Sequence, residues 1–165
     1  MIAIRDILVA TDFSDCSQTA LEYAKALARQ SGARLHVIHM IGTLAGADVG
    51  IDGLAMAAPE WQAQVEDDAR EALNALLTAE DLQVLQARAS VLHADSAAEG
   101  IVRYARNERI DLVVIGTHGR RGLTRLILGS VAEQVVRTAP CPVLTVRYPE
   151  REFVHPDALV KTTQV

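Results

Sequence analysis

The chain has 165 residues, enough for one domain of ordinary size. Half of them are hydrophobic and only 4% are aromatic, so the core is built from Val, Leu, Ile and Ala, the filling of a parallel sheet covered by helices. A formal net charge of -5 argues against non-specific binding to nucleic acid or to an acidic membrane.

Ile7-Leu8-Val9-Ala10 is a short apolar run that reads as a buried strand. Ser14 then stands as an N-cap, Ala20, Leu21, Ala24, Leu27 and Ala28 follow at helical spacing, and Gly32 closes the helix. Leu35 to Ile41 is a second strand. Thr43 to Ala58 is rich in Gly and Ala without a clear period and reads as a mobile loop. Pro59 suits the first turn of a helix whose face runs through Trp61, Val65, Ala69, Leu73 and Leu76. Val84 to Leu92 reads as a third strand, with Leu85, Ala87, Ala89 and Val91 alternating.

Ser96-Ala97-Ala98-Glu99 matches a capping box, and Ile101, Val102 and Ala105 continue its helix. Leu112-Val113-Val114-Ile115 is the clearest buried strand. After a glycine-rich loop, Ser130-Val131-Ala132-Glu133 reads as another capping box, opening a helix that ends before Pro140. Val143-Leu144-Thr145-Val146 is the last strand, and Tyr148 to Val165 is a polar tail. Five strands alternating with helices predict an α/β fold: a parallel sheet with helices on both faces.

Cys16 and Cys141 stand far apart and in no CxxC pattern, which gives neither a disulfide framework nor a zinc signature. His36, His39, His93 and His155 have no metal-ligand spacing. No apolar run approaches the ~18 residues of a membrane span. Arg5 and Asp6 put charge where a signal peptide carries its apolar stretch. The expectation is a soluble cytoplasmic protein without a metal site.

Ligands of open α/β sheets bind beyond the carboxyl ends of the strands, where the strand order reverses. In the order 3-2-1-4-5 that point lies between strands one and four. The loop after strand four runs from Gly116 to Ser130 and holds Gly116, Gly119, Gly122 and Gly129. Glycines allow a ligand to approach the backbone closely. Ser130 opens a helix whose first N–H groups and dipole favour an anion. Arg120, Arg121 and Arg125 add positive charge. The combination makes a phosphate cradle. It is neither a P-loop, since no Gly-Lys-Ser/Thr is present, nor the GxGxxG dinucleotide fingerprint.

Gly116, Gly119, Gly129 and Ser130 match the pattern G-x2-G-x9-G-(S/T) carried by ATP-binding universal stress proteins. Val9-Ala10-Thr11-Asp12-Phe13-Ser14 resembles that family's opening strand and loop, and Pro140-Cys141-Pro142-Val143-Leu144 resembles its closing strand. The similarity runs from about residue 3 to 147. It implies a Rossmann-like nucleotide-binding domain over residues 1–147, with 148–165 as a tail. It also implies a homodimer paired through Val143, Leu144, Thr145 and Val146.

The resemblance assigns roles as well. Asp12 lies near ribose and adenine with Ala10 and Thr11 beside it, and Met40 brings its backbone to the adenine edge. Gly116 and Gly119 line ribose and phosphates, while Gly129, Ser130 and Val131 hold the phosphates. His118 and Arg120, inside the same loop, are candidate contacts. The implied ligand is ATP, with ADP, AMP or a cyclic nucleotide as alternatives, and Mg2+ enters through the phosphates.

Plain structural readings stand beside these roles. Asp12 also suits a turn or a helix cap, and Ser130 an ordinary N-cap. His118 also suits a solvent or backbone contact, and Arg120 with Arg121 a solvated loop face. The resemblance implies a stress-response binding or sensing module. A slow ATP hydrolase or phosphotransferase is the competing reading, set back by the lack of a dedicated second carboxylate near the loop and of a P-loop lysine. A flavin electron carrier is disfavoured by the scarcity of aromatic residues at the switch point.

Overall fold

The computed structural model describes residues 2–42, 59–117 and 128–148. Strand β1 (Asp6–Thr11) is buried at Ile7, Leu8 and Val9 and leads into helix α1 (Asp15–Ser31). Ser14 is the N-cap, with extended backbone and its Oγ accepting from Ser17 N at 3.3 Å. Gly32 ends the helix at φ 67°, a left-handed conformation that a side chain disfavours. Strand β2 (Arg34–Gly42) then pairs with β1 in parallel, Thr11 opposite His39.

Helix α2 (Pro59–Ala75) starts on its proline and buries Ala69 and Leu73. The apolar face expected from Trp61 onward is buried only in its C-terminal half, since Trp61 is 43% exposed.

The third strand departs from expectation. The segment Ala79–Val84 is a short helix, α3, and strand β3 spans Arg88–Ala94. Leu85 and Ala87 are buried as an alternating strand would bury them, but between them Gln86 turns the chain at φ 46°. The cause is Asp81. Its backbone N–H donates to Thr78 Oγ1 at 3.1 Å, and its carboxylate accepts from Thr78 N at 3.1 Å, closing a capping box that starts a helix where the apolar pattern suggests extension.

Helix α4 (Ala97–Asn107) is capped by Ser96, and strand β4 (Leu112–Gly116) follows. Helix α5 (Ser130–Thr138) and strand β5 (Val143–Val146) close the described fold. The loop expected over 43–58 lies outside the described residues, as does the tail from 149 onward.

The five strands are all parallel, in the order β3-β2-β1-β4-β5. Strand alternation divides the core in two. Ile7, Val9, Leu35, Val37 and Val114 face α1 and α2, packing with Ala20, Leu21, Ala24 and Leu73. Leu8, Ile38, Val113 and Ile115 face α4 and α5, packing with Ala98, Ile101, Ala132 and Val135. Burying each such aliphatic side chain contributes roughly 1.5–3 kcal/mol. Small alanines on the helices let the layers approach closely.

At the N-terminal end of the sheet, charge is neutralised internally. Asp6 accepts from Arg34 Nε at 2.7 Å and meets His36 Nε2 at 3.1 Å, while His36 Nδ1 meets the Tyr104 hydroxyl at 2.9 Å. Burial raises the Asp6 pKa, but Arg34 and His36 outweigh it and hold the carboxyl below the usual range. Asp6, Arg34, His36 and Tyr104 thus satisfy one another at that end of the sheet.

Candidate functional site

β1 and β4 are neighbours, with Ala10 opposite Ile115, and their chains leave the sheet toward opposite faces: β1 into α1, and β4 by the loop that returns in α5. This is the topological switch point. One wall is Thr11-Asp12-Phe13-Ser14, the other Gly116-Thr117 with the start of α5.

The first wall is a self-bonded turn. Thr11 is 5% exposed, and its Oγ1 accepts from Phe13 N and meets Ser17 Oγ, both at 3.0 Å. Asp12 is half-buried, and its Oδ1 accepts from Ser14 N at 3.1 Å and from Ser14 Oγ at 2.5 Å. The turn role for Asp12 is therefore real, and the carboxylate sits at the mouth of the switch point with its orientation set by Ser14. Between these residues Phe13 adopts φ 64°, which costs a non-glycine residue roughly 1–2 kcal/mol. Ala10, half-buried, precedes them in β1.

The second wall is joined by two backbone bonds. Thr117 N donates to Val146 O at 2.8 Å, and Gly129 N donates to Thr117 O at 2.7 Å. The second bond fixes the N-terminus of α5 against the end of β4. It also corrects the expected cap. Gly129, not Ser130, is the N-cap, and it makes no side-chain cap bond. Glu133 N bonds back to Gly129 O at 2.8 Å, and the Glu133 carboxylate pairs with Arg137 instead of reaching back. Ser130 and Val131 are the first two helical residues, both exposed. The N-cap itself brings no side chain to the first-turn N–H groups, which carry the positive end of the helix dipole.

Gly116 has a packing reason of its own. A Cβ there would lie 2.9 Å from Cys16 Sγ and 3.1 Å from the Cys16 backbone carbonyl, so the absence of a side chain lets α1 pass close to β4. Cys16 is buried, and its Sγ donates to Val146 O at 3.4 Å. Gly129 lies at φ -58°, a value open to any residue, so positive φ is not its requirement.

Met40 lies at the end of β2, its side chain in the α4-facing core and its methyl close to Gly100. Its backbone pairs in register with Leu92. His118, Gly119 and Arg120 lie outside the described residues. Two site residues carried no functional signal in the sequence. Thr117 is 5% exposed and joins β4, β5 and α5 through its backbone. His39 donates from Nδ1 to Thr11 O at 2.8 Å and lies against the Phe13 ring. Parallel register, which puts His39 opposite the last residue of β1, is the signal that identifies it. Among the described residues no group of three or more His, Cys, Asp or Glu side chains is placed to hold a metal. No helix among them is long and apolar enough to cross a membrane.

Residues 3–147 match the model of the universal stress protein family. A universal stress protein of Methanocaldococcus jannaschii is 31% identical over 151 residues, covering 90% of this chain and 85% of that protein. Among solved structures, a universal stress protein in complex with cAMP aligns at TM-score 0.61 and 24% identity, covering 87% of this chain and 97% of that one. The universal stress protein from Archaeoglobus fulgidus in complex with dAMP aligns at TM-score 0.57 and 21% identity, covering 88% and 99%. Sheet order, switch-point glycines and a family match across nearly the whole described fold agree: this chain belongs to the universal stress protein family.

Proposed function

We propose that this protein binds an adenine nucleotide, ATP foremost, at the β1–β4 switch point, and serves as a homodimeric sensing module of the cytoplasmic stress response. The observation that carries the reading is the Gly129 N to Thr117 O bond at 2.7 Å, which sets a helix N-terminus with a glycine N-cap beside the end of β4, the strand next to β1 and the Asp12 turn. An anion acceptor and a carboxylate suited to ribose hydroxyls then both stand at the switch point. Gly129, Ser130 and Val131 hold the phosphates, Gly116 and Gly119 line them with His118 and Arg120 nearby, and Mg2+ enters through the phosphates. Ala10, Thr11, Asp12 and the Met40 backbone take the ribose and base. The fold relatives described with cAMP and with dAMP support the reading, since both ligands join adenine, a sugar and one phosphate. Mass spectrometry of nucleotide released from freshly purified protein, followed by calorimetric titration, tests it. Released adenine nucleotide and saturable ATP binding are expected. A protein that releases none and takes up neither ATP, ADP, AMP nor cAMP overturns it.

The dimer half rests on β5. This strand is at the sheet edge and its only strand partner among the described residues is β4. Val113 N donates to Pro142 O and Thr117 N to Val146 O, so the backbone groups of residues 142, 144 and 146 face β4. Those of Val143 and Thr145 therefore face outward by strand alternation. An edge of Val143, Leu144, Thr145 and Val146 without charge is a pairing template, and the same strand of a second copy satisfies it about a two-fold axis. Thr145→Pro removes an outward donor and leaves the β4 ladder intact. Light scattering reads twice the 17.8 kDa chain mass for wild type and one chain mass for the variant. A monomeric wild type, or an unaffected variant dimer, overturns this interface.

A further inference from the structure

Phe13 is one of three non-glycine residues at positive φ among the described residues, and it follows Asp12 directly. Its N–H donates to Thr11 Oγ1 at 3.0 Å, and its ring lies against His39 with centroids 4.5 Å apart and planes tilted by 39°. His39 is itself fixed. Its Nδ1 is 2.8 Å from Thr11 O, and a carbonyl only accepts, so Nδ1 carries the hydrogen whether the ring is neutral or charged. One imidazole thus holds the residue before Asp12 through its carbonyl and the residue after it through its ring. It also stands one position before Met40, on the strand that lies next to β1.

We infer that His39 is a positioning residue that sets base selectivity: it holds the Asp12 turn and the Met40 backbone in one register, so that sugar and base are read together. The inference rests on the nucleotide reading above. It assigns His39 no contact with the reacting atoms and no proton to transfer. Its effect runs through backbone placement, and so falls on the base-and-sugar half of the ligand, while the phosphates remain with α5.

The test is the ratio of ATP to GTP affinity, measured by competition titration, for wild type, His39→Ala, His39→Asn and His39→Phe, with a thermal melt of each. Asn keeps an N–H for the Thr11 carbonyl and loses the ring. Phe keeps the ring on Phe13 and loses the donor. The expected result is an ATP preference in wild type that falls about tenfold in His39→Ala, with partial recovery in Asn and Phe. A role confined to stability lowers the melting temperature and weakens both nucleotides alike, leaving the ratio unchanged. An unchanged ratio in folded Asn and Phe variants, or a wild type without base preference, overturns the inference while leaving nucleotide binding standing. A wild type that binds neither nucleotide overturns both.

Discussion

Asp81→Ala lowers the stability of this protein by about 3–5 kcal/mol, the range for breaking a buried ion pair on one side. Asp81 is 1% exposed. Its Oδ2 accepts from Lys25 Nζ at 2.9 Å and its Oδ1 from Arg29 Nη2 at 2.8 Å, which pins α3 to α1. The same residue closes the Thr78 capping box, and its carbonyl accepts from Leu85 N and Ala87 N across the turn into β3. Removing the carboxylate leaves Lys25, 8% exposed, with Leu76 O at 2.9 Å and, among the described residues, one remaining ion pair, to the exposed Glu22 carboxylate at 3.6 Å. Urea titration measures the loss. Adding Lys25→Met recovers part of it, because the stranded charge goes too. A loss under 1 kcal/mol places the strength of the α1–α3 contact elsewhere.

The same carboxylate gives a pH signature. Burial raises its pKa, but the Thr78 backbone N–H, the Lys25 ammonium and the Thr78 hydroxyl outweigh that and hold it below the usual aspartate range. The unfolded chain then binds a proton at higher pH than the folded one. The stabilisation is complete above the unfolded value, about pH 4, and is lost as pH falls through the folded value. Asp6 acts with the same sign. Asp81→Ala therefore shows a shallower decline of stability below about pH 4 than wild type.

Asp12→Ala weakens ATP binding by roughly 10- to 150-fold, the equivalent of the ~1.5–3 kcal/mol of a hydrogen bond to a charged group. The variant stays folded, because Asp12 lies outside both core clusters. It does lose the Ser14 bonds of the turn, so some affinity loss has a structural origin. Asp12→Asn separates the two effects: its carbonyl oxygen still accepts from Ser14 N, while the charge is gone. Calorimetry with ATP on both variants decides. Affinity lost in Ala and unchanged in Asn makes Asp12 a turn residue only. Affinity lost in both makes the carboxylate a ligand group.

The parallel sheet is legible in the chain's apolar runs. Runs such as Ile7-Leu8-Val9 and Leu112-Val113-Val114-Ile115 are short and apolar at every position, as suits a strand covered on both faces. Ser14 and Gly32 fixed the ends of α1 for local reasons, a side-chain acceptor and a left-handed backbone. The switch-point glycines were legible as a spacing. Other features are set by partners distant in the chain and arise on packing. The helix at the start of the expected third strand has a local signal, the Thr78–Asp81 capping box, which the apolar alternation masks, but the pairing of Asp81 with Lys25 and Arg29 on α1 is set by the packed layers. The cap of α5 moved from Ser130 to Gly129, whose N–H is held by Thr117 O. Gly116 is required by Cys16, a hundred residues away in sequence, and His39 joins the site because parallel pairing sets it opposite Thr11. Local propensity and periodicity act over a few residues. Ion pairs, close helix approaches and strand register exist only once the layers have packed, so no local pattern in the chain announces them.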